Sequence, residues 1–337
     1  MIKRVTAADV AARAGCTPAA VSLWINGKTA GRISDQVGER IREAVEALGY
    51  VPNRTAQQLS TGQSRQLAFV FPDVWYTFFS YILDGITAEI DESWDLALTM
   101  PLRHEREQGG GTRAALQRAL RGGPAGLIIA SPEREMLDLV PPGLPTVVID
   151  ADSAPEHCSL ARYDFEPGAA AVAAHLSAAG HERVGYIGLD RRADTLLTRR
   201  ARLGDALEAH DIRFALPDLL LDNIRADMVA DRVSDWLTSD VTAVICGDES
   251  LAYGAIAASQ RLGRSVPGEL SLVSFNDLAP ASLIEPSLTS VHMPTYEIGR
   301  LAGQMLASRV AGGDVRVETV PTELVVREST GPRAVLR

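Results

Sequence analysis

The sequence predicts two units of different fold class: a small all-α unit at the N-terminus, then an α/β unit with two lobes built on parallel sheets. Short helical patterns with caps and turns fill the region before residue 63, and β-rich runs appear only after it. From residue 66 onward, apolar runs alternate with amphipathic segments, which is typical of parallel sheets covered on both faces. The length of 337 residues is enough for two or three domains.

Composition excludes several classes of protein. Apolar residues make up 46% and charged residues 23% of the chain, which suits a globular protein and not a disordered one. The sequence has no apolar span of about 20 residues, and no apolar stretch of a signal peptide follows Met1. Because Cys16, Cys158 and Cys246 are widely spaced, we expect no disulfide framework, no zinc site and a reducing cytoplasm.

The charge is divided unevenly along the chain. The net charge is −10, but residues 1–65 hold nine Lys and Arg against five Asp and Glu, a net +4, which leaves −14 on the remainder. A negative total argues against nucleic acid as a partner, whereas a basic end on an acidic body indicates two separate tasks. Chance scatter is the alternative, because +4 over 65 residues is a modest excess.

Capping signals predict two short helices near the N-terminus. The motif Thr6-Ala-Ala-Asp9 has the form of a capping box and predicts a first helix that ends before Gly15. Thr17 caps a second helix with Pro18 at its first position, and this helix stops at Asn26-Gly27. Two short helices joined by a tight turn form a helix-turn-helix.

A third helix is predicted over residues 34–48, where Ile41, Val45 and Leu48 form a narrow apolar stripe that covers the first two. Next, Asn53 caps a further helix that is too short to be stable by itself in water. This segment exposes a leucine with no partner inside it, so it needs a surface to dock on.

The sequence from residue 66 onward predicts an α/β fold with two lobes. Strands are predicted at 67–71, 96–100, 126–130, 146–149, 184–187, 241–246 and 272–275. Helices are predicted near 78–92, 112–121, 167–179, 199–210, 226–238 and 249–262, followed by a last helix near 294–310 and a strand at 323–326. The strands fall into two groups divided near residue 160. A cleft between the lobes is the expected ligand site, since ligands of such folds bind at the carboxyl ends of the strands.

No motif in the sequence indicates catalysis or a cofactor. There is no GxGxxG after a strand, no Walker A, no GxSxG and no HExxH, and the six histidines are scattered. No nucleophile and base, or pair of carboxylates, can be placed together. We therefore expect a protein that is not an enzyme and uses no cofactor or metal.

The sequence resembles the lactose-repressor (LacI/GalR) family of bacterial transcription regulators. In the headpiece the matching stretches are residues 5–15, 21–22, 26–27, 48–50 and 52–59. In the body they include residues 72–73, 126–129, 148–150, 274–277, 286–291 and 321–329. The resemblance covers roughly residues 4–330.

The resemblance implies a helix-turn-helix DNA-binding domain and a periplasmic-binding-protein-like (Rossmann-like) effector domain joined by a hinge. The implied divisions are a DNA-binding domain at 1–50, a hinge helix and linker at 51–63, and an effector-binding and dimerisation domain at 64–337. Within the last, lobe 1 takes 64–160 and 292–320, and lobe 2 takes 161–291 and 321–330.

The same resemblance implies a homodimeric repressor that binds a pseudo-palindromic, double-stranded operator in the cytoplasm, at the nucleoid, with no membrane partner. A small effector in the cleft, a sugar or sugar derivative, would control it, with a nucleobase as an alternative. Two other functions stay open for the body: a cytoplasmic solute-binding protein and a sugar-active enzyme on the same fold.

In this family the second helix enters the major groove, and the hinge helices enter the minor groove, where a leucine wedges open a base step. The residues that the resemblance assigns to DNA are Thr6, Thr17, Pro18, Ala19, Ser22, Leu23, Asn26, Lys28, Arg32, Asn53, Arg54, Ala56, Gln57 and Leu59. Leu59 stands at the wedge position, with a linker residue packed on the body as the alternative.

Base reading departs from the family pattern at Leu23, where an arginine is usual. A leucine cannot donate hydrogen bonds to guanine, but it can touch a thymine methyl group. Direct reading should then depend on Thr17, Ser22 and backbone groups, with apolar contact and DNA shape adding to it. For Trp24 beside it, packing in the headpiece core is favoured over a DNA contact.

The resemblance assigns the effector pocket to Trp75, Phe78, Phe79, Asp150, Arg199, Asp248 and Asn276. For Phe79 core packing is an equal alternative, and for Asp150 the alternative is a loop cap. Neighbouring Arg200 and Arg202 leave open which arginine faces the ligand. Asp248 stands where the family usually has an amide and Asn276 where it usually has an acid, an exchange that should alter ligand choice.

Overall fold

A computed structural model describes residues 5–27, 29–51, 64–73, 77–107, 111–190, 193–222, 226–237 and 241–333. The chain divides into two compact units, Met1–Ser64 and Arg65–Arg337. In the described ranges, no helix is both long enough and apolar enough to span a membrane.

The N-terminal unit contains α1 (Ala7–Ala14), α2 (Pro18–Ile25) and α3 (Asp35–Leu48). Thr6 and Asp9 form the predicted capping box at the start of α1, with the Thr6 N–H donating to Asp9 at 2.8 Å. All three helices begin and end within one residue of the sequence prediction, because local caps and glycine turns set their limits.

One residue from each helix forms the centre of the headpiece core: Val10, Val21 and Ile41 are fully buried. Trp24 packs against this core, and its ring lies 3.5 Å from where a side chain at Gly38 would begin. This packing supports the core interpretation of Trp24.

The larger unit contains two sheets. The strands of the first sheet are β1 (Gln66–Val70), β2 (Asp95–Thr99), β3 (Gly126–Ala130), β4 (Thr146–Ile149), β5 (Ser159–Asp164) and β12 (Val317–Pro321). They are all parallel, in the order β12-β5-β4-β3-β1-β2. β3 and β4 are buried along their whole length, as expected for the interior of a parallel sheet.

The strands of the second sheet are β6 (Arg183–Leu189), β7 (Arg213–Phe214), β8 (Leu219–Leu221), β9 (Ala243–Cys246), β10 (Ser271–Asn276), β11 (Thr289–His292) and β13 (Glu323–Val325). Their order is β13-β11-β10-β9-β6-β7, with β8 also paired to β6. Only β13 runs antiparallel to its neighbour among these described strands.

Helices cover both sheets. Their bounds are α4 (Thr77–Glu89), α5 (Arg103–Glu107), α6 (Gly111–Arg121), α7 (Glu166–Ala178), α8 (Asp194–Glu208), α9 (Ala226–Trp236), α10 (Glu249–Arg261) and α11 (Thr295–Val310). Two 3₁₀ helices lie at Arg134–Leu139 and Ala279–Ser282. The chain passes between the sheets three times, after β5, after β11 and between β12 and β13.

The predicted strands are present, but five further strands escaped the sequence analysis: β5, β7, β8, β11 and β12. β12 is an edge strand in which only Val320 is buried, and β11 holds a buried Ser290 that bonds Ser274 at 2.8 Å. Such strands lack the continuous apolar run used as the signal. The proposed lobe boundary at residue 160 accordingly falls within β5.

The C-terminal segment closes over the second sheet at a buried histidine. The ring of His181 lies 2.8 Å from Thr242 Oγ1, 3.0 Å from Ser271 Oγ and 3.1 Å from the carbonyl oxygen of Gly331. Burial lowers the pKa of His181, and the positive charge of Arg333 adds to this effect.

We expect the stability of this unit to fall as the pH drops below about 6.5, the ordinary pKa of histidine in an unfolded chain, because only the unfolded state then gains the proton. His181→Gln should flatten the change in the free energy of unfolding between pH 7.5 and 5.5 by roughly 1 kcal/mol. Urea titrations at both pH values measure this, with exposed His210→Gln as the control. An unchanged pH dependence in His181→Gln would contradict it.

Candidate functional site

A cleft lies between the two sheets, at the ends of their parallel strands. It is lined by Phe78, Phe79, Ser131, Asp150, Leu189, Ala193, Thr195, Leu196, Arg199, Gly247, Asp248, Asn276 and Met293. Every effector residue predicted from the sequence is in this set except Trp75, which lies outside the described residues. Positions far apart in sequence are therefore neighbours in one cavity.

Three polar residues that line the cleft have left-handed backbone conformations: Ser131 with φ 44°, Asp150 with φ 52° and Asn276 with φ 91°. Each stands at the end of a strand. Such conformations cost a non-glycine residue about 1–3 kcal/mol and concentrate at functional sites. They turn the chain sharply at the carboxyl ends of the strands, which supports a ligand site there.

Asp150 connects the two lobes. It accepts hydrogen bonds from Ser131 Oγ, which follows β3 in the first sheet, and from Thr195 Oγ1 of α8 beside the second sheet, the latter at 2.7 Å. Burial raises the pKa of Asp150, while the two hydroxyl donors and the charge of Arg199 oppose this. The remaining lone pairs of the carboxylate can accept protons from ligand hydroxyls.

Asn276 joins two buried carboxylates. Its Nδ2 donates to Asp248 Oδ2 at 2.9 Å and to Glu249 Oε2 at 3.0 Å. Burial and the negative charge of Asp248 raise the pKa of Glu249 to about 8, so Glu249 carries a proton at neutral pH. A carboxylate at position 276 would be repelled by the negative charge of Asp248 and could not donate the two hydrogen bonds of Asn276 Nδ2, which gives a physical reason for the amide here.

Arg199 is the cation of the cleft, and it is only 5% exposed. Its Nη2 donates to the carbonyl oxygen of Gly247 at 2.9 Å, and its guanidinium carbon lies 4.7 Å from the ring centroid of Phe275. Its Nε is buried with no hydrogen-bond partner among the described residues. A buried donor without a partner is costly, so a ligand oxygen here would be bound favourably.

The structure also resolves which arginine faces the cleft. Arg200 forms an ion pair with Asp218 at 2.8 Å and stacks on the ring of Phe214. Arg202 is an exposed residue 4.0 Å from Asp205. Of the three arginines only Arg199 lines the cavity, because Arg200 is held by Asp218 and Arg202 extends into solvent.

Phe78 and Phe79 form the apolar wall. Their rings meet edge to face at 5.3 Å between centroids, and both side chains are buried. Phe79 also packs on Phe71 at 5.9 Å, and Phe78 on Tyr163 at 6.3 Å. The two readings of Phe79 are thus compatible, because one face of the pair belongs to the core and another part lines the cleft.

Sequence reasoning missed several residues of the cleft. Ser131 directly follows the predicted strand β3, so the rule that ligands bind at strand ends was a usable signal. Thr195, Met293 and the supporting Glu249 carry no local signal. Thr195 reaches Asp150 only because α8 packs across the cleft, and that packing is a tertiary property.

The headpiece residues predicted to contact DNA lie mainly on one side of α2. The exposed ones are Thr17, Pro18, Ala19, Ser22 and Asn26. Leu23 is half-buried, Arg32 is exposed, and the side chain of Thr6 is engaged in the α1 cap. Six predicted positions lie outside the described residues: Lys28, Asn53, Arg54, Ala56, Gln57 and Leu59.

Comparison with known proteins finds one matching family in each of the two units. Residues 6–53 match the family described as bacterial regulatory proteins, lacI family, and residues 173–330 match a periplasmic binding protein-like domain. The maltose regulon regulatory protein MalI of Escherichia coli K12 is 28% identical over 324 residues, covering 90% of this chain and 92% of MalI.

Two solved structures share the architecture. The lac repressor dimer bound to operator and the anti-inducer ONPF has a TM-score of 0.82 at 24% identity, covering 98% of this chain and 100% of that one. The CelR–cellobiose complex, a transcriptional regulator, has a TM-score of 0.65 at 26% identity, covering 97% and 100%.

A helix-turn-helix unit and a two-lobed domain with a polar cleft, in one chain, define a ligand-controlled bacterial transcription regulator. The chain joins a lacI-family helix-turn-helix domain to a periplasmic-binding-protein-like domain, and it is similar over nearly its whole length to regulators such as MalI. Because relatives that match over nearly the whole chain are regulators, the prediction that this protein is not an enzyme is confirmed.

Proposed function

We propose that this protein is a repressor that binds a pseudo-palindromic operator as a homodimer and is controlled by a neutral sugar in the inter-lobe cleft. The observation that carries the effector assignment is the buried Arg199 guanidinium, with an unpartnered Nε, opposite two carboxylates in one cavity. In this proposal residues 1–50 read DNA, 51–63 form the hinge and 64–337 bind effector and dimerise.

The chemistry of the cleft suits a sugar. Asp150 and Asp248 accept protons from hydroxyls, Arg199 donates to oxygens, and the rings of Phe78 and Phe79 offer an apolar wall for C–H groups. Two carboxylates against one guanidinium would repel a phosphate or a sugar acid. A relative with the same architecture, CelR, is solved with cellobiose, and the name of MalI refers to maltose.

The DNA-binding half of the proposal depends on the headpiece. Exposed residues of α2 would enter the major groove, Lys28, Arg32 and Arg54 would contact phosphates, and Leu59 would wedge into the minor groove. The +4 charge of residues 1–65 favours DNA, and the −14 charge of the remainder would keep the body off it. We propose that the protein works in the cytoplasm, at the nucleoid.

Coupling between the two sites would run through the lobe connections. Thr322, between β12 and β13, bonds the carbonyl oxygen of Asp164 at the end of β5 with its hydroxyl at 2.8 Å. A ligand held by Asp150 in one lobe and by Arg199 in the other would favour one lobe angle. The first lobe follows the hinge segment in the chain, so a changed angle would bias the DNA-binding state.

The test uses the full-length protein and an operator selected from random duplex DNA. We expect cellobiose, maltose or another neutral sugar to change the operator Kd by about fivefold or more at fixed salt, and glucose 6-phosphate and gluconate to have no effect. Fluorescence anisotropy measures binding, and chromatography of the sugar checks for turnover. Conversion of a bound sugar, or a response to the anions alone, would contradict the proposal.

A further inference from the structure

The exposed face of the recognition helix α2 is mainly apolar, and Ser22 is its one polar side chain among the residues of the helix. Pro18 and Ala19 are exposed in its first turn, and Leu23 is partly exposed one turn later on the same side. Val21 points the other way and is fully buried in the headpiece core. Helix packing therefore leaves methyl and methylene groups, rather than amide or guanidinium groups, to face outward.

The polar side chains on and beside this face make hydrogen bonds within the headpiece, and Ser22 Oγ accepts a long one from Asn26 Nδ2 at 3.4 Å. Thr17 Oγ1 accepts the N–H of Ala20 at 3.2 Å as the helix cap. The Asn26 amide is turned back, with Nδ2 donating to the carbonyl oxygen of Ser22 at 2.7 Å. A bidentate Asn contact to adenine needs that same Nδ2, and no Arg or Lys of α2 is present to reach guanine.

In the major groove, thymine is the one unmodified base that presents a methyl group, at C5. An apolar side chain against this methyl removes both from water without leaving a polar group unpaired. Phosphate contacts can position α2 but carry no sequence information by themselves. The apolar face is therefore suited to one feature of the base pairs and indifferent to the others.

We propose that Pro18, Ala19 and Leu23 recognise the operator through the C5 methyl groups of thymines, and that these contacts replace hydrogen bonding to guanine in each half-site. This inference rests on the proposed DNA-binding function and adds the chemical feature that is read. Leu23 is the main specificity residue, because its side chain reaches furthest of the three.

The proposal makes the methyl group itself the recognised feature, whatever base carries it. At each thymine under α2 the half-site can be prepared with T·A, U·A, C·G or 5-methylcytosine·G. Binding should weaken by about fourfold for each methyl removed, both from thymine to uracil and from 5-methylcytosine to cytosine. Uracil placed outside the half-sites should leave binding unchanged.

For each comparison, the methyl ratio is the operator Kd without the methyl group divided by the Kd with it: uracil over thymine, and cytosine over 5-methylcytosine. Leu23→Ala should bring both methyl ratios close to one. A ratio is insensitive to the fraction of folded protein, so partial unfolding of the variant would not imitate this result. Arg13→Gln, on the exposed surface of α1, is the matched control and should preserve the ratios even if it weakens overall affinity. Full retention of the ratios in Leu23→Ala would overturn the role of Leu23.

The experiment begins with full-length protein and an operator selected from random DNA, measured by anisotropy at one salt concentration. Failure to select any sequence would contradict the proposed function itself. A selected operator that binds equally with uracil, and loses affinity when 7-deazaguanine replaces guanine in the half-sites, would overturn methyl recognition alone. Equal fourfold losses in both methyl comparisons are the supporting result.

Discussion

Arg199→Ala is expected to abolish the response to the effector while operator binding by the ligand-free protein stays intact. The side chain donates to the carbonyl oxygen of Gly247 and, through a long bond of 3.7 Å from Nη1, to Met293 Sδ. Its Nε has no partner among the described residues, so Nε and the weakly bonded Nη1 are the donors available to a ligand. Loss of charge-assisted hydrogen bonds, each contributing about 1.5–3 kcal/mol, should weaken effector binding by roughly 100-fold or more. Isothermal titration with the sugar identified by the operator assay measures this.

The matched control is Arg202→Ala, on the same helix but exposed to solvent. It removes an equal charge and should leave both effector binding and operator release unchanged. If Arg199→Ala still responded to effector at wild-type concentrations, the assignment of the cleft would be wrong. If it lost operator binding without effector, the residue would be needed for the fold rather than for the ligand.

Gly299→Ala is expected to destabilise the larger unit by about 3 kcal/mol or more, because overpacking against a fixed backbone cannot relax by a side-chain rotation. A methyl group at Gly299 on α11 would overlap the carbonyl oxygen of Ile82 on α4. Across the same crossing, a methyl group at Gly85 would overlap the carbonyl oxygen of Tyr296. The two helices therefore approach each other backbone to backbone at glycines.

Chemical unfolding followed by circular dichroism measures this loss. Gly143→Ala is the control, since a methyl group there meets no atom within 4 Å and its φ is not positive. A loss of less than about 0.5 kcal/mol for Gly299→Ala, the range of ordinary surface substitutions, would show that the helices can separate at little cost.

Structural features that depend on contacts between residues a few positions apart, such as helix caps, could be predicted from the sequence. Thr6 with Asp9, Thr17 with Pro18, and Gly49 after α3 set the helices of the headpiece, since a cap needs only its own turn of chain. The buried strands β3 and β4 were equally clear, because strands covered on both faces are continuously apolar. Strands β11 and β12 could not be predicted in this way, because their polar residues find their partners on segments distant in sequence.

The effector positions themselves came from resemblance to a family, and the sequence could not say how they interact. The choice of Arg199 over Arg200 and Arg202 depends on how α8 is rotated against the second sheet. The link from Asp150 to Thr195 exists only after the two lobes are placed together.

By itself, then, the sequence determined the two units, their opposite charges, the helices of the headpiece and the family resemblance, because these follow from local patterns and motif spacing. Only the tertiary structure decided that an acid at 248 requires an amide at 276, since the reason is electrostatic repulsion between side chains 28 residues apart. It likewise decided that the polar groups beside α2 are tied to the headpiece, which leaves an apolar face for DNA.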